Sequence, residues 1–219
     1  DVEGVPDGTV VELYCMVNDV IAQTEVQGGR FVLEPKLAEP AYLNLRVKGT
    51  YDRVLLMVDT TDNVSISGPV TFANGHYDWS GASVEGATLK ALLDEKMAQR
   101  YVLDSIYSEM HVKYGHLYAE MGEARKAQDA AKIKEIEESE GWKEILQSEK
   151  YLFEQAPNIL ENAVIENRET FWAPLLMLLP TGYLTEDMKY LYDQMGPDAQ
   201  NSMYGKYVKS KVAPKGLVG

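Results

Sequence analysis

Gly86 separates two hydrophobic periods, and this switch constrains the fold more than any other feature of the sequence. From Thr9 to about Gly81 the apolar residues come in short runs: "TVVELYCMV", "VIAQTEVQ", "RFVLEPKL", "AYLNLRVK", "RVLLMVD" and "NVSISGPV". The runs are rich in β-branched and aromatic residues, and turn residues interrupt them every 8–12 positions. Such spacing predicts antiparallel strands in a sandwich or barrel. After Gly86, Leu103, Tyr107, Met110, Tyr114, Leu117 and Met121 step by four and three, which draws one seam along a helix from about Ala87 to Met121. Gly122 suits its end.

A second helix is expected over about 124–155, with Gly141 as a kink or slip of register inside it. Two long helices joined by a short link pack antiparallel, because each buries a face that is marginal alone in water. Pro157 should start a short helix, Thr170 should cap "FWAPLLMLL", and Thr185 should cap "EDMKYLYDQM" with Glu186 and Asp187 set against the helix dipole. Gly196-Pro197 stops that helix, and a last one is expected over about 203–211. The fold class is α+β: an N-terminal antiparallel β-sandwich over 1–85, then an all-α domain over 86–219 built on a long antiparallel helical hairpin and ending in a linker. No repeat with a fixed period is present, which disfavours a solenoid.

Charge narrows the function. The 34 acidic and 21 basic residues give a net charge of -13, a surface that repels polyanions, so nucleic acid is not an expected partner. From Met203 onward there are four lysines and no acid, which reads as a solvated helix end, with a membrane-surface or partner patch as the other reading. No apolar run reaches the roughly 20 residues that span a bilayer; "FWAPLLMLLP" is the longest candidate. The sequence opens at Asp1 without methionine and shows no signal peptide, so a mature product or an excised piece is expected.

Candidate chemistry is sparse. Gly28-Gly29 could cradle a phosphate only ahead of a helix N-terminus, but "RFVLEP" follows, so the pair reads as a hairpin turn, as does "VND" at 17–19. Cys15 is the only cysteine, so an intramolecular disulfide, a CxxC redox pair and a multi-cysteine zinc site are all excluded. Alternation along its strand sets Cys15 on the face of Val11 and Leu13, which predicts a buried, inert thiol. Of the three histidines, His111 and His116 are too far apart around a helix for HExxH. His116 and Glu120, at i and i+4, could share a hydrogen bond or an ion.

"GASVEG" lacks the second glycine of a nucleophile elbow and reads as a domain junction. "DTTDN" lacks calcium-loop spacing and reads as a turn. Asn63-Val64-Ser65 matches a glycosylation sequon, and Glu137/Glu138 read as a solvated helix face. No catalytic, cofactor-binding or metal-binding residue is assigned, and no cofactor is expected. The 14 tyrosines, several of them beyond Tyr183, suit helix-packing rims or sugar and peptide contacts.

In order along the chain, "GGRF", "PAYLNLRV", "VSISG" and "VEGA" resemble landmarks of the bacterial domain of unknown function 4369. "NRETFWAPLLMLL", "YLTEDMKYLYDQM" and "NSMYGKYV" are similar to the helical region that follows it in the same proteins. The resemblance covers nearly the whole chain. It implies the N-terminal accessory region of a cell-envelope thioredoxin-like thiol–disulfide oxidoreductase, often lipid-anchored, whose CxxC dithiol lies in a C-terminal domain and maps to no position here. The implied roles are positioning the redox domain, homo-oligomerisation or client recognition. The alternative is a stand-alone envelope module that binds a sugar or peptide.

Overall fold

The computed structural model describes residues 2–15, 19–180 and 183–213. The expected α+β order holds: strands first, then helices. The chain divides into two compact units, Asp1–Glu95 and Lys96–Gly219, with the division falling inside the first helix.

The first unit is built on a four-stranded antiparallel sheet of β2 (Val10–Cys15), β3 (Asp19–Glu25), β4 (Ala41–Val47) and β5 (Arg53–Val58), in the order β3-β2-β4-β5. Pairing of Leu13 with Leu45 and of Leu43 with Leu56 puts Leu13, Cys15, Leu43, Leu45, Leu56 and Val58 on one face. Val11, Leu43 and Leu45 on that face and Glu12, Tyr14 and Asn44 on the other are all at most 6% exposed, so the central strands β2 and β4 are buried on both faces. The opposite face of β2 carries Glu12, buried against Arg46, whose Nε and Nη2 each lie 2.6 Å from Glu12 Oε1. The Arg46 guanidinium also sits 4.4 Å from the centre of the Tyr14 ring.

A smaller sheet joins β1 (Val2–Glu3), β6 (Ser65–Pro69) and β9 (Ser83–Glu85). Here the antiparallel expectation fails once, since β1 runs parallel to β6, Val2 beside Gly68 and Glu3 beside Pro69. β7 (Thr71–Ala73) and β8 (His76–Asp78) form a hairpin around Asn74-Gly75, both at positive φ. An Asn-Gly pair between alternating residues is the sequence signal for this turn, which the spacing of the longer apolar runs does not reveal.

Two strand expectations need correction or qualification. Gly28 and Gly29 do turn the chain, at φ 60° and 71°, inside a Gln27–Arg30 bridge. "RFVLEPKL", however, is not a strand, and Phe31–Ala38 joins no ladder. The "VND" connector lies largely outside the described residues, which resume at Asp19.

The second unit starts within α1 (Lys90–Lys126), which is followed by α2 (Ala130–Glu138), α3 (Glu140–Glu166) and four shorter helices: α4 (Trp172–Leu178), α5 (Lys189–Tyr192), α6 (Pro197–Asn201) and α7 (Met203–Val212). The hairpin is antiparallel as expected: Lys96 Nζ reaches Asn167 Oδ1 (2.5 Å), Lys113 Nζ reaches Glu144 (2.8 Å), and Lys132 Nζ reaches Glu120 (3.6 Å). Met110, Met121, Ala124, Ile136, Trp142 and Ile145 form the core near its turn. A second core joins Val164 of α3 to Ala173, Met177, Leu191, Val208 and Val212.

Several helix boundaries differ from the sequence reading. The helix expected over 124–155 is two helices parted at Ser139, whose hydroxyl donates to the Ile136 carbonyl (2.6 Å) and accepts the Trp142 N–H (3.2 Å). Gly141 lies inside α3, where a Cβ would come within 2.7 Å of Leu117, so its role is close approach to α1. α3 continues through Pro157, although the proline forfeits the bond to the Phe153 carbonyl and its ring crowds that oxygen. Thr170 caps the wrong helix for the expectation: its hydroxyl donates to the Asn167 carbonyl at the end of α3, and no side chain caps α4. Thr185 precedes a 3₁₀ turn, Glu186–Met188, without a side-chain capping bond.

α1 also outlasts Gly122. The Asp129 N–H donates to the Ala124 carbonyl (2.9 Å) and the Gln128 N–H to that of Arg125 (3.2 Å), a Schellman closure with Gln128 at φ 54°. Glycine has no Cβ to strain there. Gln128→Gly is therefore expected to stabilise the chain by about 0.5–1 kcal/mol, read as a higher denaturant midpoint at unchanged slope.

Candidate functional site

The sequence candidates do not assemble into a reactive centre. Cys15 is 8% exposed on the central strand β2. His111 is held on α1 by stacking, its ring centre 4.0 Å from Tyr107 and 4.7 Å from Tyr118, with Nδ1 2.9 Å from the Tyr107 carbonyl oxygen. Burial, and then the bond to Glu149, push the Tyr118 hydroxyl up to about 12. His116 is exposed, and Glu120 approaches Lys132 of α2 instead of His116. Glu137 and Glu138 are exposed, and "GASVEG" contributes β9, paired with β6. Among the described residues no three His, Cys, Asp or Glu side chains converge as metal ligands. The late tyrosines divide: Tyr192 and Tyr204 are buried, while Tyr183 and Tyr190 are exposed.

The "DTTDN" turn is a real anchor. Asp62 accepts the Asp59 N–H, the Thr88 N–H and the Thr88 hydroxyl (2.9, 2.9 and 2.8 Å). Partial desolvation works against its charge, but these donors prevail and hold the carboxyl below its usual range. A pair that the sequence reading missed is similar: Asp52 lies 3.2 Å from His76 Nδ1, and its carboxyl is lowered first by the Tyr77 N–H.

The feature with the geometry of a binding site lies in the first unit. A cavity of about 440 Å³ separates the apolar face of the large sheet from Phe31–Leu37. Leu13, Leu43, Leu45, Leu56 and Val58 form its floor. Phe31, Leu33, Pro35 and Leu37 form the opposite wall, and Asp59, Thr60, Asp62, Asn63 and Val64–Ile66 close the rim. The volume is that of a small-ligand or side-chain pocket, for which about 300–1,000 Å³ is typical. Its walls can desolvate apolar groups, and its rim can fix polar ones. An apolar interior with a polar margin suits the binding of a group that is itself apolar in the middle and polar at its edge.

The wall is formed by the segment misread as a strand. Phe31, Leu33, Pro35 and Leu37 are half-buried and alternate with exposed Val32, Glu34, Lys36 and Ala38. The period of two is a strand's, and the sequence carried it; what is absent is a neighbour to pair with. Among the described residues no helix is long and apolar enough to cross a membrane. No family model, no curated protein and no solved structure matches this chain.

Proposed function

We propose that this chain is the non-catalytic N-terminal region of a cell-envelope thioredoxin-like thiol–disulfide oxidoreductase, and that it recognises a client for a redox domain. The observation that carries the non-catalytic part is Cys15: it is the sole thiol, and it is buried on a central strand. Dithiol exchange requires an accessible thiolate and a second thiol to release the mixed disulfide. The ordered landmarks from "GGRF" to "NSMYGKYV" supply the link to the oxidoreductases and to the envelope.

The cavity of the first unit favours recognition over positioning or self-association, since a surface that only positions a neighbour has no need of an apolar recess. The same cavity would serve a stand-alone sugar- or peptide-binding module, and the two readings part on whether a thioredoxin-like domain belongs to the same polypeptide. The test of the non-catalytic reading is insulin reduction with excess dithiol, run beside Cys15→Ala. Turnover equal to the dithiol background is expected from both proteins. Turnover well above background that vanishes in Cys15→Ala overturns the reading.

A further inference from the structure

The wall of the cavity has an unusual backbone. Among the described residues, no hydrogen bond joins Phe31 through Ala38 to any other part of the chain, although the segment alternates like a strand. Eight consecutive carbonyls, and every N–H except that of Pro35, which has none, are therefore without a protein partner. Such a row is a template for another extended chain.

A neighbouring strand shows how that template can be used. β1 lies between Gly29 and β6: the Val2 N–H donates to the Gly29 carbonyl (2.9 Å), while Val2 and Glu3 pair with Gly68 and Pro69. β1 is two residues long and occupies only this end. Further along, between Phe31–Leu37 and Val64–Ile66, the corresponding space is the cavity. Its lining includes Glu34, Asp59 and Asp62 but no lysine, arginine or histidine; Lys36 points outward and lies outside it. Residues 1–85 as a whole carry 13 acids and five bases.

We propose that this slot binds an extended peptide segment of a partner protein by strand addition along Phe31–Ala38, selecting alternate apolar and basic residues. The guest's backbone pairs with the unpaired segment, as in other strand-addition complexes. Its apolar side chains, on the inward phase, fill the recess over Leu43, Leu45 and Leu56. Its basic side chains, on the outward phase and at the ends, meet Glu34, Asp59 and the unused capacity of the rim. Asp62, already bonded to Asp59 and Thr88, contributes field more than a direct bond. The proposal rests on the recognition reading above and gives it a chemical class of client.

The test is fluorescence anisotropy of the full chain with a labelled Lys-Val-Lys-Val-Lys-Val peptide. Saturable binding that weakens with salt is expected, because carboxylates at a rim act through screened attraction. Glu-Val-Glu-Val-Glu-Val and an analogue N-methylated at every valine should each bind at least about tenfold more weakly, the first through charge and the second through lost strand bonds. Glu34→Lys, at an exposed position that folding does not use, should weaken the basic peptide by about tenfold while leaving the thermal melt unchanged. Leu56→Phe, which fills the recess, should weaken the basic peptide by a similar factor, and its melt shows whether it folds.

Absence of binding by the basic peptide, or equal binding by the N-methylated analogue, overturns the proposal. So does displacement of the peptide by dodecyltrimethylammonium when N-methylation has no effect, which makes the recess a site for cationic amphiphiles. Insulin turnover bears on the non-catalytic reading alone and the peptide titration on the slot alone, so the two failures are separable.

Discussion

Replacing Glu12 by alanine is expected to remove about 3 kcal/mol of stability, the scale of leaving one partner of a buried ion pair alone. Glu12 is 4% exposed, and its Oε1 receives both the Nε and the Nη2 of Arg46. The Arg46 side chain is itself only 19% exposed, so water replaces the lost carboxylate only in part. The cation would keep the Tyr14 ring beneath it, a contact of roughly 1–2 kcal/mol that does not depend on Glu12. Equilibrium urea unfolding of Glu12→Ala, Arg46→Leu and a Glu12→Leu/Arg46→Leu double variant resolves the terms. The double variant should lie within about 1 kcal/mol of the parent, because it removes both charges and leaves neither orphaned. A Glu12→Ala midpoint equal to the parent's would mean that the pair adds nothing to the sheet.

The second large effect is a glycine-to-alanine change with the opposite sign to helix propensity. Gly205 is in the first turn of α7, where alanine is ordinarily favoured by about 1 kcal/mol. A Cβ at this position would lie 2.1 Å from the Ala199 carbonyl oxygen and 2.6 Å from that of Gln200. These are backbone atoms at the end of α6, and no rotamer change moves them aside. Ser202 fixes the same junction, donating its hydroxyl to Ala199 (2.7 Å) and accepting the Gly205 N–H (3.1 Å). Gly205→Ala is therefore expected to lower stability by about 3 kcal/mol. Gly115 and Gly122 in α1 are the internal control, since a Cβ at either meets nothing within 4 Å. Alanine at those positions should stabilise by about 0.5–1 kcal/mol. A thermal melt in which Gly205→Ala matches the controls would refute the packing of α6 on α7.

What the sequence made legible follows from which interactions are local. β2, β4 and β5 are legible as short runs rich in β-branched and aliphatic residues, interrupted only by the buried Glu12–Arg46 pair and Asn44, and the long seam of α1 is legible because a helix pairs its own backbone. Phe31–Ala38 shows the limit. Its side-chain alternation is local and legible, but a strand is defined by its neighbour, and no residue in the segment reports whether one is there. The helix ends misled for a similar reason. Gly122 is a better C-terminal residue than Gln128 by propensity, yet Ala124 packs into the core beside Met121 and carries α1 past the glycine. Pro157 and Thr170 each suit a helix start in isolation, and in both cases α3 determined the outcome. The cavity was not legible at all, since its floor comes from three strands and its wall from a fourth segment.

Ser139 has a consequence for the order in which the second unit loosens. α2 has nine residues, too few to persist alone in water, and it survives between two side-chain clasps. Asp129 accepts the Lys132 N–H at one end (3.0 Å), and Ser139 closes the other. Because the Ser139 hydroxyl also holds the first turn of α3, the two helices have no independent ends at this joint. Fraying that begins in either one is passed to the other through a single oxygen atom, so amide protons on both sides of Ser139 belong to one opening event.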